Sequence, residues 1–297
     1  MSLMKDYFGY EGKVCVVTGS ASGVGKAITE ALVDVGAVVY ALDRNPVDVP
    51  GIKEFIQIDL GSKESIDDVF QNKLPQKFDQ FFGIAGVSGE TTPNKLTLKI
   101  NYVSNVHILY TYLPSRLPKG GAILFGTSVG ANRWYHPTNK PELELLAHAT
   151  TWEDAVEILD RIGIDDVPCG NAYTFSKRCL GYLSAIACCM FADQGIRVNS
   201  LRIGNAKTGL MPEFRARWMR LHPGKTEEDY DIEYGLAGMA ECYQMAEPAL
   251  FLNSNMASYV SGEELIVDYG KDAAVLAGVR EDTWVGRKLT FDVNNVK

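Results

Sequence analysis

Residues 13–43 read KVCVVTGSASGVGKAITEALVDVGAVVYALD, and this stretch decides the fold. The run KVCVVTG (13–19) is rich in β-branched residues, as expected of a strand that is buried on both faces. KAITEALVDVG (26–36) has apolar residues at helical spacing and ends on a glycine, a common C-cap. AVVYALD (37–43) repeats the strand pattern. The chain is therefore predicted to open with a β-α-β unit.

The alternation of strand and helix patterns continues along the chain. Further strands are predicted at 54–60, 77–86 (ending in a turn), 121–128, 196–204 and 263–270, and helices at 62–74, around 95–115 and at 171–194. Such alternation predicts a parallel sheet with right-handed crossovers. The predicted fold class is α/β, a Rossmann-type doubly wound parallel sheet. Because no linker-like tract interrupts the 297 residues, we expect a single domain over 1–297.

Composition excludes several classes of function. The net charge of −8 argues against nucleic-acid binding, which needs a basic face. Six cysteines without a C-x-x-C pair and four scattered histidines predict reduced thiols and no metal site. The longest nearly apolar run (180–192) is too short to span a bilayer, and the N-terminus has no apolar signal region. We expect a cytoplasmic protein without membrane or nucleic-acid partners.

The first predicted βα turn, TGSASGVG (18–25), is rich in glycine. A tight turn there lets backbone N–H groups approach a pyrophosphate, and the N-terminus of the following helix favours negative charge. The glycine spacing is G-x-x-x-G-x-G rather than G-x-G-x-x-G. The predicted cofactor-binding residues of this turn are Gly19, Ser22, Gly23, Val24 and Gly25. A glycine-rich turn without a ligand is the alternative interpretation.

Asp43 ends the second predicted strand, 18 residues after Gly25. A carboxylate at this position can accept hydrogen bonds from both ribose hydroxyls of an adenosine, and it repels a 2′-phosphate. The sequence therefore favours NAD over NADP. Arg44 keeps NADP open, since a guanidinium can hold a phosphate. An Asp that only caps its own turn is a further alternative.

Six motifs in order resemble those of the short-chain dehydrogenase/reductase superfamily, over residues 12–274. They are TGSASGVG (18–25), FFGIAGV (81–87), INY (100–102), GTSVG (126–130), YTFSK (173–177) and IRVNSLRIG (196–204). Within the superfamily, the chain looks most like bacterial 3-alpha-hydroxysteroid dehydrogenase/carbonyl reductases. The resemblance implies a doubly wound fold and a nicotinamide cofactor.

The resemblance also implies catalytic residues. Tyr173 matches the tyrosine that passes a proton to or from the substrate oxygen. Lys177, one helical turn away, matches the lysine that favours the phenolate and holds the nicotinamide ribose, so we expect a lowered pKa for Tyr173. Ser128 matches the serine that steadies the substrate oxygen, and Asn101 the asparagine that holds a water in the proton relay. Taken singly, these residues could be helix packing, a cap or a buried amide.

Further cofactor contacts follow from matching positions. Asp59 and Leu60 match the pair that lies against adenine, Ala85 and Gly86 the end of an N-N-A-G turn, and Ile203, Gly204 and Thr208 the segment at the carboxamide. Two departures stand out. Gly83 and Ile84 replace the two asparagines of the turn and remove its polar brace, and Ile203 replaces a proline.

Two segments are expected to set specificity. The insertion 129–172 separates Ser128 from Tyr173 by 45 positions, with a helix predicted at 151–163 from the cap Thr151. It could be a lid, a subunit contact or a neutral insertion. The substrate loop 208–245 carries Met, Phe, Trp and three arginines, which suit a bulky apolar substrate, with arginines for an anionic tail. An amphipathic helix with a solvated basic face is the alternative. The C-terminal tail 275–297 has no assigned role.

The predicted function is an NAD(H)-dependent oxidoreductase that interconverts a secondary alcohol and a ketone, the substrate being a hydroxysteroid or similar hydrophobic molecule. Alternatives are a carbonyl reductase, a dehydrogenase of smaller alicyclic alcohols, a sugar-nucleotide epimerase or dehydratase, and a non-catalytic NAD(P) sensor. Members of the superfamily that the chain resembles are commonly dimers or tetramers, so a homodimer or homotetramer is expected.

Overall fold

The computed structural model describes residues 8–131, 134–137 and 140–281. Its described residues form a seven-stranded sheet in the order β3-β2-β1-β4-β5-β6-β7, with every neighbouring pair parallel. The strands are β1 (Val14–Thr18), β2 (Val38–Asp43), β3 (Glu54–Gln57), β4 (Gln80–Gly83), β5 (Ala122–Ser128), β6 (Arg197–Ile203) and β7 (Glu264–Val267). The predicted fold class is confirmed.

Helices cover both faces of this sheet. They are α1 (Gly23–Asp34), α2 (Lys63–Asp68), α3 (Asn94–Leu98), α4 (Ser104–Thr111), α5 (Leu113–Arg116), α6 (Lys140–Ala147), α7 (Trp152–Arg161), α8 (Asn171–Met190), α9 (Met211–Leu221), α10 (Glu227–Tyr234), α11 (Tyr243–Asn253) and α12 (Lys271–Leu276). Two π-helical turns, Val69–Lys73 and Lys99–Val103, continue α2 and join α3 to α4.

Two apolar cores, one on each face, explain why the central strands read as unbroken apolar runs. Along β5, Ile123 and Phe125 pack into the core beneath α4 and α8, and Leu124 packs into the core beneath α1 and α11. Alternate side chains of a strand point to opposite faces, so burial on both faces demands apolar residues at every position.

The sheet changes its winding direction between β1 and β4. The chain leaves β1 for a helix on one face of the sheet and leaves β4 for helices on the other face. The carboxyl ends of these two strands therefore border a crevice, which is where ligands bind in open α/β sheets.

The insertion 129–172 packs against the helical layer. Its helices α6 and α7 contact α8 and α4, and Trp152 lies edge-on to His107 with ring centroids 6.1 Å apart. Thr151 caps α7 as predicted, since its hydroxyl accepts a hydrogen bond from the Asp154 N–H at 3.1 Å. This arrangement argues against a lid formed by α6 and α7. Residues 132–133 and 138–139 of the insertion lie outside the described residues.

Several predicted boundaries were wrong by a few residues. The third strand ends at Gln57 rather than at residue 60, because Asp59 turns the chain by accepting a hydrogen bond from the Gly61 N–H at 2.8 Å. The last strand ends at Val267, since the Asp268 carboxylate accepts from the Asp272 N–H at 2.8 Å and starts α12. Helices α6, α10, α11 and α12 were not predicted. Of the tail 275–297, residues 282–297 lie outside the described residues.

The described helices do not include one with the length and apolar character that crossing a membrane requires.

Candidate active site

A pocket of about 480 Å³ opens at the carboxyl ends of β1, β4, β5 and β6. It is lined by all but one of the residues that the sequence singled out: Gly19, Ser22, Gly23, Val24, Gly25, Asp43, Arg44, Asp59, Leu60, Ala85, Gly86, Ser128, Tyr173, Lys177, Ile203, Gly204 and Thr208. The exception is Asn101, which lies behind this wall. Within the described residues, no group of three or more His, Cys, Asp or Glu side chains could hold a metal ion.

The glycine-rich turn forms a cradle of bare backbone. Gly19 has φ +80°, and a Cβ there would lie 2.8 Å from the Ala85 Cα in the facing turn. A Cβ on Gly25 would lie 2.1 Å from the Gly19 carbonyl oxygen. Both positions therefore require glycine, and together they leave room for a group that approaches the backbone closely. The N-terminus of α1 opens onto the cradle, so its residues fit the pyrophosphate of a dinucleotide.

Asp43 ties the cradle to the end of β2. One carboxylate oxygen accepts a hydrogen bond from the Ala21 N–H at 3.0 Å, and the other accepts from the Asn45 N–H at 2.9 Å. The carboxylate thus caps its own turn, as one alternative held, and also borders the pocket beside Arg44. Asp59 and Leu60, which follow β3, also line the pocket.

The turn after β4 is braced by side chains from other elements. The Thr18 hydroxyl accepts hydrogen bonds from the N–H groups of Ile84 at 3.1 Å and Ala85 at 3.3 Å. The Asn101 side chain accepts from the Val87 N–H at 2.9 Å and donates to the Val87 carbonyl at 3.0 Å. These bonds brace the turn that lacks the family's two asparagines. Sequence analysis missed Thr18, although a hydroxyl at the end of a central strand was a usable signal.

Asn101 lies in the π-helical turn between α3 and α4, and such turns are frequent at functional sites. Its amide also donates to the Ser176 hydroxyl at 3.1 Å. A Cβ on Gly86 would lie 3.3 Å from both the Asn101 carboxamide oxygen and the Lys177 ammonium nitrogen. Asn101 therefore lies just behind the pocket wall at Lys177.

Ser128, Tyr173 and Lys177 meet at the inner end of the pocket. Ser128 ends β5, while the other two lie four residues apart on one face of α8. The Lys177 ammonium donates to the Gly126 carbonyl at 2.7 Å and lies 5.9 Å from the centroid of the Tyr173 ring. Tyr173 is 9% exposed and Lys177 is 5% exposed. Strand end and helix face thus place a hydroxyl, a phenol and an ammonium together.

Burial is the main cause of the pKa shifts of Tyr173 and Lys177. It raises the pKa of Tyr173 to about 12, with a side-chain hydrogen bond to Ser128 acting in the opposite direction. It lowers the pKa of Lys177 to about 8. The expected lowering of the Tyr173 pKa is therefore wrong for this structure, because loss of water opposes the phenolate more strongly than its neighbours favour it.

The carboxyl end of β6 closes the side of the pocket that faces the glycine-rich turn. Gly204 follows Ile203, and a Cβ on Gly204 would lie 2.3 Å from the Val267 carbonyl oxygen of β7. A Cβ on Gly23 would lie 3.4 Å from the Thr208 methyl group. The segment after β6 thus faces the glycine cradle across the pocket.

Aromatic side chains of α9 and α10 form the opposite wall. The residues Phe214, Trp218, Tyr230 and Tyr234 line the pocket together with Met211. The Phe214 ring lies 5.0 Å from the Tyr173 ring, and Tyr230 stacks on Tyr234 at 4.5 Å. This wall suits an apolar ring system, which has large, flat surfaces.

The segment that carries this wall is closed at its base. Ala206 and Ala240 form a parallel bridge, in which the Ala240 N–H donates to the Asn205 carbonyl at 2.8 Å and the Lys207 N–H donates to the Ala240 carbonyl at 2.9 Å. The stretch 208–239 therefore leaves and rejoins the fold at one place.

The arginines of this segment are held by carboxylates of the chain itself. Arg215 pairs with Asp231 at 2.7 Å and Glu227 at 3.1 Å, while Arg217 and Arg220 pair with Glu90 at 3.4 and 2.9 Å. These pairs do not favour the expectation that the arginines meet an anionic substrate tail.

Two family models match the chain. One, described as short chain dehydrogenase, matches residues 13–137, and another, described as Enoyl-(Acyl carrier protein) reductase, matches residues 161–272. A coniferyl-alcohol dehydrogenase of Pseudomonas sp. strain HR199 is 36% identical over 41% of this chain and 46% of that protein, so the match spans less than half of that relative. A 3-alpha-hydroxysteroid dehydrogenase/carbonyl reductase of Comamonas testosteroni is 26% identical over 88% of this chain and 97% of that protein.

Solved structures show the same fold. The crystal structure of a 3-alpha-hydroxysteroid dehydrogenase from Pseudomonas sp. B-0831, complexed with NADH, matches with a TM-score of 0.67 at 22% identity. The match covers 91% of this chain and 100% of that one. Motif order, sheet topology and the two family models agree: this chain belongs to the short-chain dehydrogenase/reductase superfamily of oxidoreductases.

Proposed function

We propose that the protein is an NAD(H)-dependent oxidoreductase that interconverts a secondary alcohol and a ketone, with Tyr173 as its acid/base. One observation carries the proposal. Ser128, Tyr173 and Lys177 meet at the inner end of a pocket that also contains a glycine cradle shaped for a dinucleotide. A protein that only sensed NAD(P) would need the glycine cradle, but it would have no need of Ser128 or Tyr173.

Backbone and one carboxylate would hold the cofactor. The cradle at Gly19 and Gly25 would take the pyrophosphate, and Asp43, which borders the pocket, would accept hydrogen bonds from the adenosine ribose, which favours NAD over NADP. Arg44 beside it is the reason to test NADP as well. When bound, the nicotinamide supplies or accepts the hydride.

The side chains move and hold the proton. In the reduction direction, Ser128 donates a hydrogen bond to the ketone oxygen, and the Tyr173 hydroxyl gives its proton to that oxygen as the alcohol forms. In the oxidation direction the same phenolic oxygen takes the proton back. The Lys177 ammonium stabilises the phenolate that exists in between, and Asn101 lies next to it behind Gly86.

The substrate is a bulky, hydrophobic alcohol or ketone. The aromatic wall of α9 and α10 supports a hydroxysteroid or a similar ring system, and the Comamonas relative acts on that class by its name. A secondary alcohol that carries an aromatic ring is the second candidate, because the wall is aromatic and the 36% identical relative is named for an alcohol with an aromatic ring, as a coniferyl-alcohol dehydrogenase. A smaller alicyclic alcohol would leave part of this wall without contacts.

The test is the change in nicotinamide absorbance during turnover. Hydroxysteroids, secondary alcohols with an aromatic ring and cyclic alcohols are each offered with NAD or NADP. We expect turnover with NAD and a hydroxysteroid, and a loss on the order of 10³-fold in Tyr173→Phe with cofactor binding retained. Tyr259→Phe, which alters a fully exposed tyrosine, is the matched control.

The alternatives predict different results. Turnover of small alcohols only would exclude the steroid assignment and keep the mechanism. Preference for NADP would show that Arg44 outweighs Asp43. A Tyr173→Phe variant as active as the wild type would contradict the proposed acid/base.

A further inference from the structure

Helix α9 is attached to the segment after β4 by polar contacts. The Ser88 hydroxyl donates to the Glu213 carboxylate, and the Thr91 hydroxyl donates to the same carboxylate at 3.4 Å. In the other direction, Glu90 of that segment pairs with Arg217 and Arg220 of α9. Charged groups on both partners therefore join the substrate wall to the part of the chain that follows the cofactor turn.

Glu90 is the buried centre of this attachment. Its side chain is 8% exposed, although it does not line the pocket. Space for it exists because residue 170 is glycine: a Cβ there would lie 2.1 Å from an Arg217 guanidinium nitrogen and 2.4 Å from a Glu90 carboxylate oxygen. Gly170 also has φ +80° and precedes α8 directly. The ion pair thus fits into the start of the helix that carries Tyr173.

Arg217 connects Glu90 to the substrate side of the pocket. Its guanidinium donates to the Asn171 carboxamide oxygen at 3.1 Å, and both Arg217 and Asn171 line the pocket. Phe214 lies three residues before Arg217, on the same side of α9, with its ring 5.0 Å from that of Tyr173. Whatever fixes Arg217 therefore also fixes how closely Phe214 approaches the reacting groups.

We propose that Glu90 is a positioning residue for the substrate: acting through Arg217, it fixes α9 against the start of α8 and so sets Phe214 over Tyr173. The role in turnover rests on the proposed function. The attachment of α9 does not, and it can be measured without a substrate. Because Glu90 lies on the substrate side, cofactor affinity should not depend on it.

The first test compares Glu90→Gln with Glu227→Gln, which makes the same chemical change at an exposed ion pair within the substrate segment. Limited chymotrypsin digestion with mass spectrometry reports cleavage after Phe214 and Trp218. We expect cleavage there to be about tenfold faster in Glu90→Gln, with other sites unaffected, and unchanged in Glu227→Gln. Equal cleavage rates in Glu90→Gln and wild type would overturn the proposal.

The second test separates positioning from general stability. With a substrate in hand, Glu90→Gln should raise KM for the alcohol about tenfold with a smaller effect on kcat, and leave the Kd of NADH unchanged. In an Arg217→Gln background the Glu90 substitution should have a much smaller effect on KM and cleavage than in the wild type, because of these two ion pairs only the one with the exposed Arg220 is left to lose. Faster cleavage with an unchanged KM would overturn the role in positioning substrate.

Failure of the proposed function gives a different pattern. Without turnover of any alcohol in any variant, the oxidoreductase assignment fails, while the digestion rates and the Arg217 background still decide whether Glu90 anchors α9.

Discussion

Lys177 has its ammonium group buried from solvent. It is 5% exposed, and its hydrogen bond to the Gly126 carbonyl replaces only part of the lost hydration. Burial accordingly lowers the pKa of Lys177 from 10.5 to about 8. The folded protein thus binds this proton less tightly than the unfolded chain does, and stability rises with pH between those two pKa values.

A Lys177→Met variant should remove this dependence. Relative to the variant, the wild type should gain about 2 kcal/mol of unfolding free energy between about pH 7.5 and pH 10, because the buried ammonium loses its proton over that range. Urea unfolding of both proteins at several pH values measures the difference. Parallel stability profiles would show that Lys177 is not the group that carries the penalty.

The turn after β4 keeps its structure although Gly83 and Ile84 replace the two asparagines that are usual in the family. Gly83 has room for no larger residue, since a Cβ there would lie 2.6 Å from the Asn105 carboxamide oxygen. Thr18 of the neighbouring strand supplies the acceptor for the amides of Ile84 and Ala85 instead. Thr18 is 1% exposed, so no water can replace its hydroxyl without opening the core.

Thr18→Val should lower the free energy of unfolding by about 1–3 kcal/mol, because the buried amide of Ile84 and the part-buried amide of Ala85 lose their acceptor. It should also weaken NADH binding, since Ala85 faces Gly19 across the cradle. Thr18→Ser keeps the hydroxyl and is the matched control. Calorimetric titration with NADH and urea unfolding measure both effects, and a Val variant that behaves like the Ser variant would contradict the brace.

At the scale of the whole molecule, the sequence predicted the features that follow from local backbone conformation. It missed the roles that depend on contacts between residues far apart in the chain. Gly19 and Gly25 indicate a turn in which two stretches of backbone approach each other closely. The spacing of Tyr173 and Lys177 places both on one helix face. These signals are local. Glu90 carries no such signal, and the hydroxyl of Thr18 does not show which amides it will bond, because both roles depend on residues more than 60 positions away in the chain. The pKa of Tyr173 depends on burial, which no local pattern shows.

A buried charge cluster ties α12 to the sheet. Arg202 of β6, 1% exposed, pairs with Glu264 of β7 and lies 3.7 Å from the Asp272 carboxylate of α12. Glu264 also accepts from the Trp134 indole at 2.7 Å and from the Thr127 hydroxyl at 3.0 Å. Thr127 precedes Ser128, so this cluster reaches the end of β5 from the far edge of the sheet.

Glu264→Gln should destabilise the fold by about 3 kcal/mol, because it removes a carboxylate from a buried guanidinium. Glu241→Gln, which breaks the exposed pair with Lys207, should cost less than about 1 kcal/mol. Chemical unfolding of the two variants provides the comparison. Equal losses would mean that the buried pair contributes no more than a surface pair does.

The bridge between Ala206 and Ala240 separates the stretch that carries the aromatic wall from the rest of the fold. Because the stretch between them leaves and rejoins the fold at one place, we expect that it can be exchanged while the strands, the cradle and α8 keep their places. Grafting the corresponding stretch of another oxidoreductase at this bridge is therefore a route to new substrate preference. Lineages that diverge in this stretch alone could acquire new substrates while retaining one way of handling the dinucleotide.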